Sequence, residues 1–167
     1  MSIYTIGIDP GKSGGIVALN NGHIISLLSM PDSPEKIADH FRYLGFPQVL
    51  KHDECHIFIE NVHSMPTDGV RSAFVFGQGL GQLEGVIAAM GLPRPSKVNP
   101  ATWLNYFTLT RDKAAEESKY DFKKRIRTQA HKLSEKQFHN KLTLKTCDAY
   151  LIALYGYKSL LAGAKSS

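Results

Sequence analysis

The chain has 167 residues and a net charge of +5, with 43% apolar residues and no low-complexity tract. That length holds one folded domain with a sizeable core and leaves no room for the two domains of an actin-like or sugar-kinase ATPase. Two cysteines, Cys55 and Cys147, fit neither a disulfide framework nor a zinc site and read as reduced structural thiols. The N-terminus lacks a secretory pattern and no apolar run reaches the ~18 residues of a membrane span, so a soluble, cytosolic chain is expected.

Residues 3–8 read as an apolar strand that ends at Asp9, with Pro10-Gly11 and Ser13-Gly14-Gly15 making a Gly-rich turn behind it. A carboxylate at a strand end, beside a loop whose backbone can approach phosphate, suits metal-dependent phosphate chemistry. The same residues also suit an ordinary turn. Residues 14–19 and 23–29 read as two further strands joined at Asn20-Asn21-Gly22, giving an antiparallel opening. Ser33-Pro34-Glu35 then starts a helix that carries Ile37, Phe41 and Leu44 on one face and stops at Gly45.

The run His56 to Glu60 (HIFIE) matches a buried central strand whose last residue emerges at the sheet edge, the setting of Asp9 again. A long helix is predicted from Val70 to Met90, closed by Gly91 and Pro93, with Gly77, Gly81 and Gly85 on one face. Each glycine costs about 1 kcal/mol relative to Ala, which close packing of this face on the sheet would explain. A subunit interface is the alternative. Lys97-Val98 reads as a short fifth strand, and Asn99-Pro100 starts a helix carrying Trp103 and Phe107. A basic helix is predicted over 112–133, with Phe122, Ile126, Ala130 and Leu133 as its apolar stripe and Lys119, Lys123, Lys124 and Arg127 on other faces. The last helix, over 143–161, carries Asp148 in its first turns, and residues 162–167 are left as a flexible tail.

Charge is concentrated between Arg111 and Lys145, where 11 Lys/Arg face 5 Asp/Glu, so the other 132 residues sum to −1. A basic segment on a near-neutral body is the footprint of a polyanion partner, although a solvated helix face has the same look. Three acids, Asp9, Glu60 and Asp148, stand at the end of strand 1, the end of strand 4 and the start of the last helix. Such acids repel one another unless a cation joins them, which calls for oxygen-loving Mg²⁺ or Mn²⁺. Two such ions can flank an in-line displacement at phosphorus.

Taken in order, IGIDPGKSGGIVAL, FIENVHSM, FGQGLGQLEG, VNPATW and CDAYLIALYGY resemble the RuvC family of Holliday-junction resolvases, in its short phage and bacterial branch, over residues 3–157. The resemblance implies an RNase H-like α/β fold: a five-stranded mixed sheet, three antiparallel strands and then two parallel, flanked by helices in a single nuclease domain over 1–161. It further implies a homodimer in the bacterial cytosol that nicks four-way DNA junctions symmetrically, with two Mg²⁺ ions for which Mn²⁺ substitutes. Asp9 would be the first-strand metal ligand, Glu60 the ligand shared between metals, and Asp148 the last-helix ligand.

The chain departs from the family at two points. One helical turn before the final acid, where the family carries a fourth metal-binding Asp or His, stands Lys145, suited to neutralising the scissile phosphate rather than to holding metal. His139 lies in the preceding loop, but imidazole is a poor Mg²⁺ ligand. After Glu60, where the family places an aromatic wedge, the chain has Asn61, Val62, His63, Ser64 and Met65. His63 and Met65 are candidates to stack or wedge against a base, with Phe74 and Phe76 read as core or interface residues. Lys12 and Ser13 would meet a phosphate at the site, and Lys97, Lys119, Lys123, Lys124 and Arg127 would extend a basic surface for the junction arms. A different RNase H-fold nuclease, of broader branched-DNA or RNA specificity, would keep the same acids. A catalytically weakened junction-binding protein would keep the basic helix.

Overall fold

The computed structural model describes residues 2–46, 54–62, 69–111, 117–134 and 142–164. Strands β1 (Ile3–Asp9), β2 (Gly15–Asn20) and β3 (His23–Ser29) form an antiparallel meander. Its β2–β3 corner is tight because Asn21 and Gly22 accept φ of 49° and 80°, as a two-residue hairpin turn demands. Helix α1 (Pro34–Tyr43) starts where Ser33 Oγ accepts the Lys36 N–H at 3.4 Å, and it buries Ile37 and Phe41. Strand β4 (Glu54–Glu60) then pairs parallel with β1, and β5 (Ser96–Val98) parallel with β4. Between them runs α2 (Val70–Ala89), and after them come α3 (Pro100–Tyr106), α4 (Lys119–Ser134) and α5 (Cys147–Ala164). The sheet order β3-β2-β1-β4-β5 gives the expected mixed sheet of three antiparallel strands followed by two parallel ones.

Side-chain alternation along the strands divides the core in two. Ile6, Ile8, Ile16, Ala18, Ile57 and Ile59 point to one face and pack with α1 and α2 through Phe41, Leu83 and Ile87. Val17 and Leu19 point to the other, where α5, α4 and α3 contribute Tyr150, Ile126 and Trp103. Helix α5 is buried from Cys147 to Leu154 and emerges to solvent in its last turns, from Lys158 onward. It lies so close to β1 that a Cβ on Gly7 would overlap the Ala149 carbonyl and the Ala153 backbone nitrogen. Burying full alternate rows on both faces is what lets a chain of this size hold a sheet at its centre.

Several expected boundaries move. Helix α4 starts at Lys119, not near residue 112, because Ser118 caps it: Ser118 Oγ accepts the Asp121 N–H at 3.1 Å and donates to Asp121 Oδ2 at 2.6 Å. Helix α5 starts at Cys147, after a turn in which the Thr143 N–H donates to Thr146 Oγ1 at 2.9 Å, and runs on to Ala164. Gly77, Gly81 and Gly85 do not press against the sheet; nothing lies within 4 Å of a Cβ built on any of them. Phe74 is 71% exposed rather than core, and Phe76 is half-buried. Cys55 and Cys147 are buried free thiols. No described helix is long and apolar enough to cross a membrane. His63, Met65 and His139 lie outside the described residues.

Candidate active site

Strand pleating brings the acids to one side. Thr5, Gly7 and Asp9 share a face of β1, and Phe58 and Glu60 share a face of β4; both are the face that α5 covers, since Gly7 meets Ala149 and Ala153 and Gly156 meets the Phe58 ring. Parallel pairing of Ile8 with Ile59 sets Asp9 and Glu60 side by side at the carboxyl ends of adjacent central strands. The absence of a side chain at Gly7 admits α5 close enough for Asp148, in its first turn, to reach the same end. Gly14 does the equivalent for the turn, because a Cβ there would collide with the Asp9 backbone and carboxylate. Asp9 Oδ1 also accepts the Gly11 N–H at 3.3 Å, so the Gly-rich turn folds back over the carboxylate.

The three carboxylates act on one another. Burial pushes the Asp9 carboxyl above its ordinary range, and the charge of Asp148 pushes it further, against the opposing pull of the Gly11 N–H and Lys123. Glu60 is pushed up to about 7 by burial and by the charges of Asp9 and Asp148, even though Trp103 Nε1–H donates to its Oε1 at 3.1 Å. That indole comes from α3 and is itself 1% exposed. A further brace fixes the end of β4: Asn61 Nδ2 donates to Asn99 Oδ1 at 2.8 Å and the Asn61 N–H to the Val98 carbonyl at 2.7 Å. Asn99, expected as a side-chain cap for α3, uses its carboxamide there instead.

The cation within this cluster is Lys123. Its Nζ lies 2.7 Å from Asp148 Oδ2, with the carboxylate side chain 10% exposed and the lysine 61% exposed. Burial alone would lower the ammonium, but Asp148, with Asp9 and Glu60 behind it, outweighs that and holds it above its ordinary range. The sequence alone places Lys123 on the outer basic surface, because no local pattern links a residue on α4 to one on α5. Its phase on α4, three residues before the buried Ile126, was the available signal.

The other expected site residues are dispersed around this centre. Lys145 is exposed in the turn before α5, outside any helix, and the ion pair on Asp148 is made by Lys123 instead. Lys12 and Ser13 are exposed on the β1–β2 turn beside Asp9. Lys97 pairs with Glu84 of α2 at 3.2 Å, away from the carboxylates. Lys119 and Lys124 are exposed on α4, and Arg127, also exposed there, acts electrostatically on Cys147 beside Asp148.

Oxygen-only donors that repel one another are what a hard divalent cation relieves, so the chemistry of Asp9, Glu60 and Asp148 suits Mg²⁺ or Mn²⁺. Among the described residues, however, no three His, Cys, Asp or Glu side chains stand assembled as a metal-holding group. Lys123 supplies the compensating charge instead, from a side chain that is 61% exposed. The donor set fits a divalent ion on condition that Lys123 yields Asp148.

A five-stranded mixed sheet in this order, flanked by helices with α5 across its central strands, is an RNase H-like fold of the RuvC kind. Among solved structures, Thermus thermophilus RuvC matches 95% of this chain and 96% of its own at a TM-score of 0.58 and 14% identity. T. thermophilus RuvC in complex with a Holliday junction substrate matches over the same shares at a TM-score of 0.60 and 12% identity. What is shared at such identities is the fold. No family model matches the sequence, and no curated protein does.

Proposed function

We propose that the chain is a structure-selective endodeoxyribonuclease that resolves four-way DNA junctions by paired, metal-dependent phosphodiester hydrolysis. The observation that carries this reading is the convergence of Asp9, Glu60 and Asp148 from three separate elements, close enough that the charge of Asp148 raises both Asp9 and Glu60, in a fold whose solved neighbour is bound to a Holliday junction substrate. Asp9, Glu60 and Asp148 would hold Mg²⁺, with Mn²⁺ as a substitute, and the bound metal would activate water and stabilise the leaving oxygen. Trp103 holds one oxygen of Glu60 and leaves the other for the site. Lys123, once released from Asp148, turns its ammonium to the scissile phosphate and offsets the charge that develops there.

Two copies associate through α2. Its outward stripe of Val70, Phe74, Gly77, Gly81 and Gly85 leaves Val70 88% and Phe74 71% exposed, with open space over the glycines. Such a face, covered by its own symmetry mate, forms an isologous interface that sets two equivalent sites on one junction.

The test offers labelled four-way junction, Y-fork, linear duplex and RNA/DNA hybrid to the protein with Mg²⁺, Mn²⁺ or chelator. Paired nicks in the junction alone are expected, and equal cutting of the hybrid or the duplex would overturn the assignment. Glu60→Gln is expected to abolish cleavage while keeping junction binding; a variant that cuts normally would show that the site is misassigned. The Lys123–Asp148 pair favours one second reading, a junction binder that does not cut. Binding that persists in chelator, with no nicks when either metal is added, would establish it.

A further inference from the structure

Beside the carboxylate cluster the β1–β2 turn, the loop between β3 and α1, and the first half of α2 enclose a cleft of about 870 Å³. Cations from three separate elements line it: Lys12 on the turn, Arg71 on α2 and Lys145 in the turn before α5. Among the described residues its one acid, Asp32, is already paired with Lys36 at 2.8 Å, so the described walls present excess positive charge. Between the cations lie an apolar side, with Met30, Ile37, Val75 and Phe76, and two exposed carboxamides one helical turn apart, Gln78 and Gln82.

Lys145 also lines a second, more open cleft of about 570 Å³ whose far side carries Arg127. Lys145 thus belongs to both clefts and joins Arg127 of one to Lys12 and Arg71 of the other, where Pro10, the neighbour of Asp9, also stands. Charge along a track, an aromatic ring within it and amides that both donate and accept are the components of a single-strand nucleic-acid groove. The volume is in the range of a ligand pocket, the size of a few unpaired nucleotides.

We propose that this cleft seats unpaired nucleotides of the DNA strand that continues from the carboxylate cluster, with Arg71 and Lys145 on its phosphates and Phe76, Gln78 and Gln82 on its bases. The assignment rests on the nuclease reading above and adds where the strand lies. It also gives Lys145 a role: the residue stands on the rim that joins the two clefts and carries the backbone from one to the other.

The test measures binding in chelator, so that it is read apart from cleavage. Fluorescence anisotropy follows a short oligothymidylate and a four-way junction against the parent, Arg71→Ala and Gln78→Ala/Gln82→Ala, each checked for a native melting profile. Arg71→Ala is expected to weaken oligonucleotide binding roughly tenfold and to lower the slope of log K against log salt by about 0.7, the value for one phosphate contact on a single strand. The double amide variant is expected to lose affinity with its salt slope unchanged, because it removes no charge. Parental affinity and slope in Arg71→Ala would overturn the proposal. Absence of junction cleavage by the parent in Mn²⁺ would instead count against the nuclease reading and leave the strand measurement standing.

Discussion

Gly7 and Gly156 let α5 lie against β1 and β4, where a side chain at either position would overlap Ala149, Ala153 or the Phe58 ring, whereas Gly77, Gly81 and Gly85 run up α2 with no atom near the space a side chain would fill. Gly7 and Gly156 stand in separate elements, a strand and a helix, and the stripe on α2 is the more conspicuous in sequence. The first is required by contacts within the chain, and the second satisfies nothing within it. Spacing identifies glycines that share a face; only the neighbours across that face say whether they are needed for folding, and so where a substitution will be felt.

Gly7→Ala carries the largest expected effect on that comparison. Forcing a methyl against the α5 backbone is expected to cost about 3 kcal/mol in urea unfolding and to draw Asp148 away from Asp9, weakening Mn²⁺ binding in parallel. A variant as stable as the parent would dissolve the distinction between the two glycine sets.

Next comes the pH dependence of the end of the sheet that Gly7 allows to form. Folded Glu60 titrates near 7, against an ordinary value of 4.5, so across that window the folded chain keeps a proton that the unfolded chain has lost. Stability contributed by this group is therefore present below about pH 4.5 and falls as pH rises towards about 7. Tm in chelator is expected to drop across the window, and Mn²⁺ is expected to recover it at about pH 8 but not at about pH 5. A Tm that is flat with and without metal would separate Glu60 from any cation site.

Lys123→Met is expected to raise Mn²⁺ affinity in the absence of DNA by roughly fivefold, the equivalent of about 1 kcal/mol for a partly exposed ion pair, while lowering cleavage. Isothermal titration reads the first and nicking the second; unchanged metal affinity would show that the lysine does not compete. The smallest effect belongs to the open glycines. Gly81→Ala is expected to add about 0.5–1 kcal/mol to the stability of the monomer and to weaken self-association in sedimentation. Loss of monomer stability would return this stripe to the folding contacts of Gly7.

Much of this arrangement could be read before folding because local chemistry dictates it. Asn21-Gly22 sets the hairpin, Ser33-Pro34 starts α1, Gly91 follows α2, and Asn99-Pro100 opens α3. Asp9 and Glu60 were legible as strand-ending acids, and the pleat that turns both toward α5 follows from counting back to Gly7 and Phe58. The true start of α4 was legible too, in Ser118 and Asp121, but a run of charged residues before them masked the cap. Lys123 was not legible, since its partner is 25 residues away and depends on how α4 docks beside α5. Nor was the open face of α2, because a helix reports its own periodicity and not what lies opposite it.

The indole of Trp103 has a consequence for the symmetry of the site. A carboxylate has two equivalent oxygens, and a strand-end glutamate free to spin about its last bond would present either. Trp103 Nε1–H engages Oε1 from within the core, so the two oxygens of Glu60 become distinguishable, one held by the indole and one not. A ring that barely meets solvent thereby gives the carboxylate cluster an asymmetry, and Trp103→Phe would erase that label while leaving every charge where it was.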